Sequence, residues 1–235
     1  MVTSVTAVAH RGDPYRVREN TLASIRSALG RGADAVEVDV RLTRDGVPVL
    51  LHDATLKRLW GHDVRLDRLA HREVTELTRD GVPTLREALL AAGAHRLMID
   101  LPGATDASVA AVVGVVRECG AGERVHYCAG PGAMLRVRAA DRRAEIALTW
   151  STSAPPRAVL LEAVRPRWLN YRFGLVDREL TDRLHRDGLL VSAWTADTRR
   201  TMRRLVRRGV DSVTTNRIDV LRDVLDGGPA GGAAT

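Results

Sequence analysis

Residues 167–215 read RWLNYRFGLVDRELTDRLHRDGLLVSAWTADTRRTMRRLVRRGVDSVTT. Short apolar runs near 167–171, 189–194 and 211–215 are the length of buried strands, and the segments between them, near 177–187 and 198–208, are the length of helices. The alternation continues outward in both directions. A helix is expected near 217–226, and toward the N-terminus strands near 145–149 and 124–128 alternate with helices near 156–164, 131–140 and 106–119. Residues 96–101 form a strand that ends on Asp100. Before it, Thr84 and Glu87 have the spacing of a capping box, with Leu85, Ala88, Leu89 and Ala92 as the apolar stripe of a helix. At the N-terminus, Val5 to Ala9 is a first strand. Asn20 and Thr21 offer an N-cap to a helix with Leu22, Ile25 and Leu29 on one face, closed by Gly30 and Gly32.

The second strand, residues 35–40, carries Glu37 and Asp39 on one face because side chains in a strand repeat with period two. Arg44-Asp45-Gly46 is a tight-turn signal, and residues 47–52 extend back from it. If the arms pair about that turn, His52 returns to the level of Val38. Leaving this arm aside, the chain holds eight strands and eight helices, which predicts a (β/α)8 barrel with its site at the C-terminal strand ends. A doubly wound open sheet is the competitor, but no glycine-rich fingerprint opens the first helix. One domain is expected over residues 1–226, with residues 54–82 as an insertion or lid carrying one short helix, and residues 227–235 as a disordered tail.

Composition narrows the class. The chain has 235 residues, is 45% hydrophobic and only 3% aromatic, so alanine, valine and leucine must supply the packing of one large core. The 36 Lys+Arg against 29 Asp+Glu leave a net charge of +7, spread along the chain and not gathered into a basic tract. That field favours anionic ligands, whereas the lack of a basic stripe interleaved with aromatics argues against specific nucleic-acid binding. Cys119 and Cys128 have no metal-ligand spacing and read as two buried thiols. With no signal peptide and no transmembrane segment visible in the sequence, a cytoplasmic protein is expected. Nothing in the composition speaks to oligomeric state.

In a barrel, His10, Glu37, Asp39 and Asp100 end the first three strands, and the hairpin returns His52 to the same rim. Three carboxylates without a cysteine suit a hard divalent cation, Mg2+ or Ca2+, better than zinc. Arg11 has the planar fork that matches phosphate oxygens. A cation and an arginine would together stabilise charge developing at phosphorus, and two histidines could divide the proton transfers. These residues point to cleavage of phosphodiesters.

The motifs His10-Arg11-Gly12, Glu19-Asn20-Thr21, Gly32-Ala33-Asp34, Glu37-x-Asp39-Val40, Thr43-x-Asp45-Gly46, His52-Asp53 and Pro83-Thr84-Leu85 resemble the signature of the glycerophosphodiester phosphodiesterases. Similarity continues through Asp100, Ala193-Trp194-Thr195 and Gly209-Val210-Asp211. The resemblance implies a TIM barrel of the phospholipase-C-like phosphodiesterase type, with a hairpin and insertion after strand two. It implies a divalent-cation-dependent hydrolase of small-molecule glycerophosphodiesters, which releases an alcohol and glycerol 3-phosphate. His10 and His52 would be acid and base, Glu37 and Asp39 metal ligands with Asp100 as the third, and Arg11 the phosphate ligand. Trp194 could pack against the glycerol or serve as barrel-mouth core. Attack by the glycerol's own hydroxyl through a cyclic phosphate is the family's usual route. Two positions depart from the pattern: Asp100-Leu101-Pro102 stands where the family has Glu followed two residues later by Lys, and Thr215-Asn216 where Thr-Asp is usual. Alternatives are a lysophospholipase D or phospholipase C-like enzyme acting on lipid phosphodiesters, and a catalytically weak phosphodiester-binding barrel. His62, His71, His95 and His185 read as surface residues, and His126 is left without a role.

Overall fold

The structure is a computed structural model, and residues 5–227 are described. Its strands are β1 (Thr6–His10), β2 (Ala35–Leu42), β3 (Pro48–Leu50), β4 (Arg96–Asp100), β5 (Val125–Ala129), β6 (Glu145–Trp150), β7 (Trp168–Arg172), β8 (Leu190–Trp194) and β9 (Ser212–Thr215). All but β3 are parallel, and they close in the order β1-β2-β4-β5-β6-β7-β8-β9 and back to β1. This is the predicted eight-stranded barrel. The antiparallel β3 lies outside the ring, paired only to β2 within the sheet.

Two faces of each strand bury different things. The outward face, with residues such as Val36, Val38, Ile99, Tyr127, Ile146 and Leu169, forms the large core under the helices. The inward face stacks Val8, Ala35, Met98, Cys128, Ala147 and Trp168. Small side chains at several of these inward positions leave room inside the ring, and cavities lie on either side of Met98.

Local signals set the helices. In α1 (Leu22–Gly30) Thr21 is the N-cap, accepting from the Ser24 amide at 3.1 Å. Within the insertion, α2 (Lys57–Trp60) and α3 (His71–Thr78) flank a 3-10 turn at Leu66–Arg68, more structure than the single short helix expected. The reason is a second core: Leu56, Leu66, Val74 and Val82 bury against Val49 and Leu51 of the hairpin arm. Helix α4 (Leu85–Ala92) has the capping box read from sequence, Thr84 N–H to Glu87 at 2.8 Å and Glu87 N–H to Thr84 Oγ1 at 3.2 Å, and buries the predicted Leu85, Ala88, Leu89 and Ala92. The barrel is completed by α5 (Asp106–Glu118), α6 (Pro131–Ala140), α7 (Ala158–Val164), α8 (Arg178–Arg186), α9 (Arg199–Arg207) and α10 (Ile218–Leu225). Among the described residues no helix is long and apolar enough to cross a membrane. The tail expected to be disordered lies, from residue 228 on, outside the described residues.

Candidate active site

Strand register brings the carboxylates together. His10 is the Cα partner of Glu37 across β1 and β2, and Asp39 is the partner of Asp100 across β2 and β4. Oxygen atoms of Glu37, Asp39 and Asp100 lie within 4.8 Å of one another. The hairpin pairs Val40 with Leu50, and the Leu51 amide continues the ladder to the Asp39 carbonyl at 3.0 Å, so His52 returns to the level of Val38 as expected. All seven residues selected from sequence, His10, Arg11, Glu37, Asp39, His52, Asp100 and Trp194, line one cavity of about 410 Å3 at the C-terminal end of the barrel.

The turn after β1 is held in an uncommon shape. Arg11 and Gly12 have φ of 56° and 89°, and Asn20 has φ of 56°. A side chain pays for the left-handed region, and at Arg11 three bonds fix it there. Its amide donates to Glu37 Oε2 at 2.8 Å, and its carbonyl accepts from Ser24 Oγ at 3.0 Å and from the Asn20 amide at 3.0 Å. The guanidinium is thereby set against Glu19, 3.0 Å away, and against Asp39 Oδ2 at 3.1 Å. At Gly12 a Cβ would come within 2.2 Å of Ser24 Oγ and 2.7 Å of the Ser24 backbone. Gly12→Ala is therefore expected to destabilise the fold by about 2–4 kcal/mol, through backbone strain and overpacking together. A urea melt that moved by less than a fifth of that would show the turn to be adaptable.

Without a cation the carboxylates repel. Burial first, and then the neighbouring Asp39 and Asp100, push the Glu37 carboxyl well above its ordinary range, against the pull of Arg11. Asp100 is pushed up to about 6, by burial and then by Asp39. Two buried carboxylates and a half-buried third, mutually repelling oxygen donors, are the set a hard divalent cation satisfies, so the residues present fit such an ion. The asparagine read as part of an N-cap does something else here. Asn20 Nδ2 donates to Asp39 Oδ2 at 2.7 Å and its Oδ1 accepts from the Asp39 amide at 3.1 Å, which fixes that carboxylate's rotamer.

The two histidines have different partners. His10 Nδ1 lies 2.8 Å from Asn216 Oδ1. The orientation of that amide is set by Asp197, whose carboxylate accepts from Asn216 Nδ2 and from the Asn216 backbone N–H, both at 2.8 Å. The Asn216 oxygen must then face His10 and accept, so His10 carries a proton on Nδ1, and in the neutral ring the lone pair is at Nε2, 3.9 Å from Glu37. Burial and the adjacent Arg11 also lower the His10 pKa, against the Asn216 bond. His52 Nδ1 instead donates to Asp53 Oδ1 at 2.8 Å, and Arg58 of α2 donates to Asp53 Oδ2 at 2.6 Å and through two nitrogens to Glu19. The Arg58 bond, and behind it the His52 bond, hold the Asp53 carboxyl down at about 2 against burial. One insertion arginine thus ties the His52 and Arg11 sides of the site together. Asn216→Ala, which leaves His10 Nδ1 without its acceptor, is expected to lower kcat about 10- to 100-fold with KM changed less. Equal effects on kcat and KM would show that Asn216 shapes binding and does not orient His10.

Trp194 is half-buried at the end of β8 and borders the same cavity. Its floor is Cys128, Thr149 and Asn170, which sequence reading did not single out; Asn170 Nδ2 lies 3.1 Å from Cys128 Sγ and 3.2 Å from Thr149 Oγ1. His126 does face the barrel interior, but below Met98, in a separate cavity of about 160 Å3 with Arg96, Trp168 and Ser212. His62, His71, His95 and His185 do not border the active-site cavity.

The model of the glycerophosphoryl diester phosphodiesterase family matches residues 10–220. The chain belongs to that family. It is 34% identical over 247 aligned residues to the protein named probable glycerophosphodiester phosphodiesterase 2 of Mycobacterium tuberculosis, covering 93% of this chain and 90% of that one. Against glycerophosphodiester phosphodiesterase 1 of the rat the identity is 40% over 128 residues, but that match spans 48% of this chain and only 39% of the rat protein's length. An Oleispira antarctica phosphodiesterase, solved in complex with the product sn-glycerol-3-phosphate, superposes with a TM-score of 0.82 at 25% identity, covering 95% of this chain and 97% of that one.

Proposed function

We propose that this member of the family is a glycerophosphodiester phosphodiesterase that depends on a divalent cation, Mg2+ or Ca2+, and uses His10 and His52 as its proton-transfer pair. The observation that supports it most is the convergence of three carboxylates, two buried and one half-buried, an arginine and two differently partnered histidines on one cavity. The relative solved with sn-glycerol-3-phosphate supports a glycerophosphodiester as the substrate class.

Glu37, Asp39 and Asp100 would hold the cation, which when bound neutralises charge on the phosphate. Arg11, buttressed by Glu19, binds a phosphate oxygen. His10, neutral with its lone pair at Nε2, removes the proton from the attacking hydroxyl, which the family resemblance makes the glycerol's own. As that oxygen bonds to phosphorus, the bond from phosphorus to the alcohol oxygen breaks, and His52 gives the departing oxygen a proton from Nε2, Asp53 steadying the ring at Nδ1. In the second half the roles exchange: His52 takes a proton from water, water opens the cyclic phosphate, and His10 returns its proton to the glycerol oxygen. The products are glycerol 3-phosphate and the free alcohol.

Soluble substrates fit better than membrane lipids. The apolar side chains that a lipid platform would need, Leu56, Leu59, Trp60, Leu66 and Leu69, are spent in or against the insertion's own core. The test is release of glycerol 3-phosphate from glycerophosphocholine and glycerophosphoglycerol, with EDTA and with Mg2+ or Ca2+ added back. Binding without product in every condition would mark a binding barrel and overturn the reading.

A further inference from the structure

A second groove, of about 440 Å3, adjoins the active-site cavity, and the two share Pro102 and Gly103. Its charged lining is Arg41, Arg44, Arg65 and Asp67. Two of these arginines are already engaged. Arg44 donates to the Arg68 carbonyl at 2.7 Å and to Glu73 at 2.9 Å, and Arg65 forks onto Asp67. Arg41 is different. It follows Glu37 and Asp39 on the same face of β2, is half-buried, and its side chain makes among the described residues one hydrogen bond, from Nε to the His52 carbonyl at 2.8 Å. Its terminal nitrogens carry no hydrogen-bond partner among the described residues. One of them, Nη1, would stand 3.5 Å from a Cβ built at Gly103, an ordinary contact distance, which places the guanidinium at the rim common to both cavities.

We infer that this groove receives the leaving alcohol and that it selects an alcohol carrying an anionic group, such as a phosphorylated polyol. The inference rests on the phosphodiesterase reading given above and deepens it. Arg41 is tied to the backbone of His52, the residue that protonates the departing oxygen, so the alcohol leaves on the side where the groove opens. A guanidinium with unengaged nitrogens, half removed from water, binds a phosphate oxygen by charge-assisted hydrogen bonds, whereas a quaternary ammonium would meet repulsion. Arg44 and Arg65, although paired, keep the lining net positive.

The test compares glycerophosphoglycerol with the same diester bearing a terminal phosphate monoester on the leaving glycerol, and reads the ratio of their kcat/KM values. The ratio is expected to favour the anionic alcohol by about tenfold, the worth of one charge-assisted bond, and to shrink as salt is raised. Arg41→Gln is expected to lower turnover of both diesters, because Nε supports His52, and in addition to collapse the ratio toward one, while Arg41→Lys retains part of it. Ser108→Asp probes the opposite wall without touching His52. An acidic side chain can still accept from the Thr105 amide as Ser108 Oγ does at 2.8 Å, so the cap of α5 is kept while negative charge enters the groove, and the ratio should fall about threefold. Equal kcat/KM for the two diesters, or a ratio unmoved by both Arg41→Gln and Ser108→Asp, overturns the groove assignment alone. Failure to hydrolyse either diester overturns this inference, and failure on glycerophosphocholine as well overturns the phosphodiesterase reading with it.

Discussion

Alanine at His10 or at His52 is expected to lower kcat about 1000-fold on glycerophosphodiesters of ordinary alcohols, with KM changed only a few-fold, because in the proposed mechanism each histidine moves a proton in the transition state and neither holds the ground-state phosphate. The two variants separate when the leaving group needs no proton. With a nitrophenyl ester of glycerol 3-phosphate the His52→Ala enzyme should recover most of its nitrophenol release, leaving the cyclic phosphate as its product, whereas His10→Ala should recover none. The difference follows from the partners. Asn216 offers His10 a neutral oxygen and so leaves a lone pair at Nε2, while Asp53 anchors His52 as the proton donor. Rescue of the His10 variant by the activated substrate would reverse the assignment. Retention of wild-type activity by either variant would remove that histidine from the mechanism.

Chelation of divalent cations is expected to abolish turnover, with Mg2+ or Ca2+ restoring it, and Asp39→Asn should cost at least about 100-fold in metal affinity or activity because that carboxylate would be a ligand of the proposed cation and is the partner of Asn20 and Arg11. The same cluster predicts a pH dependence of the metal-free protein. Asp100 holds its proton up to about pH 6 in the folded chain, whereas an unfolded aspartate releases it near about 3.9. Between those values the folded state binds more protons than the unfolded one. The contribution is therefore complete below about pH 4 and is lost as pH rises through 6, on the order of 2 kcal/mol. Glu37, raised by the same burial, acts in the same sense. His126, lowered to about 4 by burial, acts in the opposite sense as its unfolded counterpart titrates, so the informative quantity is a difference between proteins. In EDTA, Asp100→Asn should gain stability relative to the wild type as pH is raised from 4.5 to 7.5, measured by denaturant melts. A constant difference across that range would show the carboxylate to be ionised throughout.

Legibility varied with the range of the interaction. Glu37 and Asp39 could be read as neighbours because period two along one strand places them on one face, and Thr84 and Glu87 because a capping box spans a single turn. Asn216 and Asp197 could not be recognised as the support of His10, since Asn216 is 206 positions away in the chain and becomes adjacent only when β9 closes against β1. The departure from Thr-Asp at Thr215-Asn216 was visible in the sequence, but its meaning was not. Only the ring shows that an amide there sets the tautomer of a histidine. Arg58 is a similar case, an ordinary charge on an insertion until α2 places it between Glu19 and Asp53. Asn20 was recognised for its residue type and given a capping role, because local chemistry favours that use; the positive φ that turns its amide toward Asp39 is imposed by the β1 turn.

What the sequence by itself determined was the set of parts and their order: eight parallel strands, a hairpin that brings His52 back, and the carboxylates on consecutive strand ends. Short-range rules suffice for these, since side-chain period, turn chemistry and caps all act within a few residues. Tertiary structure alone decided which nitrogen of each histidine is free, which carboxylates are pushed toward protonation by sharing a buried space, and that Arg41 opens onto a groove beside the site. Those properties depend on burial and on distances between strands that meet only when the barrel closes, where the loss of water makes each charge sensitive to neighbours that the chain order keeps far apart.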